Sequence, residues 1–173
     1  SADGTVHIWK MENFPTLISS AILTVGLPVT NLCFNRMTQD LAVAAESKEI
    51  LVFALAGLRK GEKQFARKSL HKHKGILNEL AYSPDGAYLI SSSYENELML
   101  WTSDGTFVKE IDKIKHPITA LAFSFDGKIL AALDDTGKGM TYTIPSGSKL
   151  AEFTGHDNTV FSAVFSPSTN TSN

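Results

Sequence analysis

The stretch "ELAYSPDGAYLISSSYENELMLW" (residues 79–101) decides the fold. Extended one way, it begins inside "ILNELAYS" (76–83), which ends at a Pro84-Asp85-Gly86 turn. "AYLISSS" (87–93) follows, then a turn at Tyr94-Glu95-Asn96 and the apolar "ELMLW" (97–101). A Ser103-Asp104-Gly105 turn then leads into "TFVKEI" (106–111). Short runs of period-two alternation, broken by Gly, Asp, Pro and Asn, are the signature of strands joined as hairpins. No window of the chain shows a 3.6-residue apolar stripe with caps, so the fold class is all-β.

The same unit recurs along the chain. "NLCFN" (31–35), "ELAYS" (79–83), "ALAFS" (120–124) and "AVFS" (163–166) share one apolar-then-small pattern. Their aromatics Phe34, Tyr82, Phe123 and Phe165 are 48, 41 and 42 residues apart, and Tyr82, Phe123 and Phe165 are read as core between units. About 19 residues after each of the first three comes an alternating strand ending in a bulky residue. These are "EILVF" (49–53), "ELMLW" (97–101) and the weaker "GMTYT" (139–143). The opening "TVHIW" (5–9) matches this second element with no first element before it.

Four-stranded antiparallel units at this period, with "SADGTVHIWK" and "YSPDGAYLISSSYENELMLW", resemble the WD40-repeat family. The resemblance implies a β-propeller, each blade one twisted four-stranded sheet. Repeat units are expected at 1–25, 26–70, 71–112, 113–154 and 155–167, with 168–173 a disordered tail or boundary. That predicts three full blades and two partial ones: two strands before residue 26, twelve in the full repeats and one near 160–166. An open arc would expose sheet edges and apolar faces, so the remaining blades are expected from a longer chain.

The resemblance also implies a buried polar network, because an indole N–H inside a sheet needs an acceptor. The matching positions in the 71–112 unit are His73, Ser91, Glu95 and Trp101, with Glu95 standing where the family has Asp. Asp3 and Trp9 match in the first unit, and His116 and His156 fall in the corresponding connections. Gly26, Ser47 and Phe53 depart from the pattern in the second unit, and Thr143 stands for Trp in the fourth. Those two units are expected to lack the network.

Composition fits a folded globular protein, with 43% hydrophobic and 20% charged residues. No apolar run approaches the roughly 18 residues that span a bilayer, and no signal-peptide pattern opens the chain. The single cysteine, Cys33, excludes an intrachain disulfide and points to an intracellular setting, cytoplasmic or nuclear. It is read as a buried, inert thiol. Asn170-Thr171-Ser172 is a formal glycosylation acceptor, read as chance in that setting.

Chemistry has little support in the sequence. Ser91, Ser92 and Ser93 sit on a strand without a nucleophile turn. Asp134-Asp135 falls in a turn, Gly137-Lys138-Gly139 lacks the spacing and helix of a phosphate loop, and His71 with His73 lacks partners for a metal site. No enzyme activity, cofactor or metal is expected. The charge anomaly is "RKGEKQFARKSLHKHK" (59–74), which holds seven of the sixteen basic residues and one acid. Arg59, Lys60, Lys63, Arg67 and Lys68 form a candidate basic patch, able to meet RNA phosphates or an acidic partner. The competing reading is a solvated outer strand whose long stems cover apolar surface.

The resemblance places partner-binding loops on one rim, at 71–75, 94–96, 113–117, 134–137 and 155–158. Lys72, Lys74, Tyr94, Asn96, Lys113 and Asp157 are the candidate contacts, with Tyr94 as anchor because exposed aromatics dominate interface energies. The expected function is a non-catalytic scaffold binding proteins or peptides. The alternative is an RNA-associated propeller using residues 59–74.

Overall fold

The computed structural model describes residues 1–11, 17–58 and 64–166. Fourteen strands are present among the described residues, and no helix. A two-stranded sheet pairs β1 (Thr5–Met11) with β2 (Leu17–Thr24). Three four-stranded antiparallel meanders follow in chain order. The first contains β3 (Val29–Asn35), β4 (Asp40–Ala45), β5 (Glu49–Ala54) and β6 (Arg67–His71). The second contains β7 (Leu77–Tyr82), β8 (Tyr88–Ser93), β9 (Glu97–Thr102) and β10 (Phe107–Lys113). The third contains β11 (Ile118–Phe123), β12 (Ile129–Asp134), β13 (Lys138–Thr143) and β14 (Lys149–Thr154). These are the predicted blades.

Each blade buries both faces, as the apolar alternation requires. Leu89, Met99 and Trp101 pack back onto Ala42, Ala44, Ile50 and Leu70 of the preceding blade. Ile90, Leu98 and Leu100 pack forward onto Leu130, Met140 and Tyr142 of the next. Neighbouring first strands β3, β7 and β11 lie side by side, and their side chains cross the seams. Thr30, Asn78 and Thr119 donate in turn to the carbonyls of Leu77, Ile118 and Val160.

The Pro84-Asp85-Gly86 turn shows how local sequence sets this geometry. Asp85 accepts from Ser83 Oγ and from the Ala87 amide at 3.0 Å, which holds its carboxyl below the usual range. Gly86 takes a left-handed φ of 71°, and a Cβ there would lie 2.6 Å from Asn35 Oδ1. Its missing side chain therefore admits Asn35 of the preceding blade. Asn35 is fully buried, donates to the Gly86 carbonyl at 2.9 Å and accepts from the Met37 amide at 3.0 Å. Asn35→Ala is expected to lower unfolding free energy by about 1–3 kcal/mol, the usual cost of stranding buried polar groups, measured by urea denaturation.

One expectation is corrected here. Residues 160–166 form no strand, because no second strand among the described residues ladders with them. Val160, Ala163 and Phe165 nevertheless pack on Ala120, Ala131 and Leu133, where a first strand would lie. Phe34 is half-exposed, whereas Tyr82 and Phe123 pack in the inter-blade core.

Candidate functional site

A linear polar chain runs through the middle blade. Trp101 Nε1 donates to Ser91 Oγ at 2.8 Å, and Ser91 Oγ lies 2.6 Å from His73 Nε2. His73 Nδ1 lies 3.1 Å from Glu97 Oε2. That same oxygen accepts from the Lys74 amide at 2.9 Å and from Ser93 Oγ at 2.9 Å. One proton arrangement gives every hydrogen a partner: the serine donates to a neutral imidazole, which donates from Nδ1 to an ionised carboxylate. Burial pushes the His73 pKa down, more than its Glu97 contacts pull it up. Burial pushes the Glu97 carboxyl up, but the Lys74 amide, Ser93 and His73 outweigh it and hold the group below its ordinary value.

The structure thus joins His73, Ser91 and Trp101 but not Glu95. Glu95 lies exposed in the turn, and its place in the chain is taken by Glu97. The reason is position: Glu97 opens β9 on the face it shares with Met99 and Trp101, whereas Glu95 lies in the turn before the strand begins. Asp3 and Trp9 are not joined either. Asp3 accepts from the Thr5 amide and hydroxyl at 2.9 and 2.7 Å, an exposed turn closure. Trp9 stacks on His7 and is 57% exposed.

Register identifies the true counterparts of Trp101 as Phe53 and Tyr142, each opposite a leucine of the second strand. Thr143, the sequence match, is one residue off and faces the other way. Tyr142 donates instead to Asp112 Oδ2 at 2.8 Å, across the blade seam. Buried Ile114 stands where His73 does, four residues before the first ladder position. His116 is an exposed partner of Asp135 at 3.5 Å, and His156 is also exposed.

At the rim, Tyr94 is 54% exposed, its amide bonded to the Ile76 carbonyl at 2.9 Å. Asn96 takes a left-handed φ of 62° and donates from Nδ2 to the Lys115 carbonyl at 3.4 Å. Lys74, Asn96 and Lys113 border one groove, with Glu95 and the buried Ile114. A Cβ on Gly75 would come 2.8 Å from the Glu95 amide, so only glycine lets the turn pack this closely. Lys72 does not join that groove: its ammonium lies 4.8 Å from the Phe107 ring centroid, a cation–π contact. Asp157 is exposed on the next connection.

Of the candidate basic patch, Arg59, Lys60 and Lys63 lie outside the described residues. Arg67 and Lys68 are exposed at the start of β6, with Lys68 Nζ donating to the Asp104 carbonyl. Cys33 is half-buried, and burial pushes its thiol up to about 12. A feature the sequence reading missed is an apolar recess of about 610 Å³ lined by Trp9, Leu32, Phe34, Leu41 and Leu55. Leu32 and Phe34 hold the positions of Leu80 and Tyr82, which at the next seam are covered by the preceding blade. No group of His, Cys, Asp and Glu among the described residues is placed to hold a metal ion. No described helix is long and apolar enough to cross a membrane.

Sheets, seams and the tryptophan-anchored polar chain define a protein built of repeated propeller blades. The family described as "WD domain, G-beta repeat" matches residues 65–102. The chain is 32% identical over 168 residues to nuclear distribution protein nudF of Aspergillus niger, covering 96% of this chain and 37% of that protein. It is 25% identical over 140 residues to the chromatin assembly factor 1 subunit FAS2 homolog of Oryza sativa, covering 76% and 28%. It is 27% identical over 125 residues to WD repeat-containing protein 1-A of Xenopus laevis, covering 70% and 20%. The chain therefore spans well under half the length of these relatives. It belongs to the WD40-repeat family.

Proposed function

We propose that the protein is a non-catalytic, intracellular scaffold that docks partner proteins or peptides on its rim loops within a larger assembly. One observation carries this reading. The Ser91–His73–Glu97 series has the order of a nucleophile, base and acid, yet Ser91 has no exposed surface and its hydroxyl is engaged by both His73 and Trp101. The blade's polar chemistry holds the sheet rigid, while the exposed side chains lie in loops that the sheet positions. Two relatives are named for chromatin assembly and nuclear distribution, which supports a role in assemblies. The repeat units at 26–70, 71–112 and 113–154 are read as consecutive blades of a larger propeller, whose further blades cover the Trp9–Phe34 recess.

Among the described residues of the basic segment nothing favours RNA over protein as the partner, and Lys68 is held by the neighbouring blade's turn. Affinity purification of the protein with and without nuclease tests the reading. Protein partners are expected to survive nuclease and to weaken about tenfold with Tyr94→Ala, the scale of an interface anchor. Partners released by nuclease would overturn the scaffold reading in favour of RNA.

A further inference from the structure

We propose that the rim groove between the second and third four-stranded blades docks an Asp/Glu-rich segment of a partner protein, an inference that rests on the scaffold reading above. The motif behind it is a repeated Lys-x-Lys, Lys72-His73-Lys74 and Lys113-Ile114-Lys115, at equivalent positions of two successive connections. In each, the middle residue is buried and both lysines are exposed, as extended backbone dictates. The other two connections carry Thr24-Val25-Gly26 and Gly155-His156-Asp157, so the lysine pairs belong to adjacent blades alone.

Lys72 is held over Phe107, which leaves Lys74 and Lys113 at the groove, with Lys115 exposed beside it on the connection whose carbonyl accepts from Asn96. None of the three makes an ion pair among the described residues, because the nearby carboxylates are engaged elsewhere. Glu97 faces inward to three donors. Asp112 takes Tyr142 and Lys149, and Glu152 takes Lys138 and Lys149. Asp134 closes its own turn through the Thr136 and Lys138 amides at 3.0 Å, and Asp135 pairs with His116. Among the described residues, Glu95 is the one exposed carboxylate bordering the groove.

The positive zone is also short. Glu46 and Glu49 stand on the rim on one side of it, and Asp135 and Asp157 on the other. A nucleic-acid backbone running along the rim would leave the lysines and meet these acids. A brief acidic peptide, with Tyr94 beside it to pack against, fits the charge pattern without that repulsion.

The test uses a short fluorescein-labelled peptide alternating Glu with Ser, a Gln-for-Glu version, and fluorescence anisotropy on the full chain. The Glu peptide is expected to bind and the Gln peptide to bind far more weakly. Lys113→Glu with Lys115→Glu is expected to weaken the Glu peptide roughly tenfold or more, with an unchanged thermal melt because both side chains are exposed. Lys128→Glu, in a first-to-second-strand turn away from the groove, is expected to leave binding intact. Equal affinity for the two peptides, equal loss with Lys128→Glu, or displacement by oligouridine at lower concentration than by unlabelled Glu peptide would each overturn the proposal. A chain that ignores the peptide but keeps nuclease-resistant partners in the double variant sinks the groove and leaves the scaffold standing. A chain with no protein partners at all sinks both.

Discussion

Trp101→Ala is expected to lower the unfolding free energy by about 3–5 kcal/mol, the range for deleting a buried large aromatic. The indole is 2% exposed, meets Phe107 edge-on at 5.4 Å and fills the seam against Ala42, Ala44 and Ile50. Those small neighbours cannot collapse into the space it leaves. Its removal also takes the donor from Ser91 Oγ, which then faces His73 alone. Trp101→Phe separates the two losses, because it keeps most of the ring area and forfeits only the N–H, about 1 kcal/mol. Trp9→Ala is the internal comparison, expected to cost about 1 kcal/mol or less for a ring that is mostly exposed. Urea denaturation of the three variants measures all of this. A Trp101→Ala cost no larger than that of Trp9→Ala would show that the buried indole does not anchor the blade seam.

The strands were legible because their signals are local. A turn needs Gly, Asp or Asn at the bend and a strand needs alternation, and both repeat in phase along the chain. Side-chain partners across strands were less legible, because spacing alone does not fix which face a residue takes. Glu95 matched the family's turn carboxylate by spacing and shares the parity of Trp101, yet only Glu97 lies within the strand that carries Trp101 inward. The same parity would have chosen Tyr142 over Thr143, since Met140 and Tyr142 repeat the Met99 and Trp101 pair. His116 misled for another reason: the connection after β10 places Ile114, not a histidine, at the buried position. The exposed Leu32 and Phe34 could not be foreseen from pattern, which marks a residue as apolar without saying whether a neighbouring sheet covers it. The Lys-x-Lys recurrence was visible in the letters. Its meaning needed the structure, which shows Lys72 held over an aromatic ring and the other three lysines without carboxylate partners among the described residues.

Glu97→Gln is expected to cost about 1–3 kcal/mol at neutral pH, while Glu95→Gln stays within about 0.5 kcal/mol as an exposed change. The asymmetry follows from donors. Three hydrogens converge on Glu97 Oε2, and an amide oxygen carries less charge to receive them while its NH₂ adds two more donors. The same geometry fixes the pH dependence. His73 has a lowered pKa in the folded state, so below about pH 6.5, the ordinary histidine value, the unfolded chain takes up a proton that the folded chain refuses. Protons bound to the unfolded state exceed those on the folded state, and stability falls as pH drops. Glu97 is also lowered, so it adds a second loss of the same sign below about pH 4.3, the ordinary glutamate value. Above about pH 7.5 both groups hold their charge in either state, and their contribution is flat. Replacing His73 by Gln is expected to remove the fall that begins near pH 6.5 and to leave the lower one. Urea midpoints measured from pH 8 to pH 3 check both components. Stability that rises on acidification from pH 7 to 5, or equal effects of Glu95→Gln and Glu97→Gln, would sink the assignment of a neutral histidine bonded to an ionised Glu97.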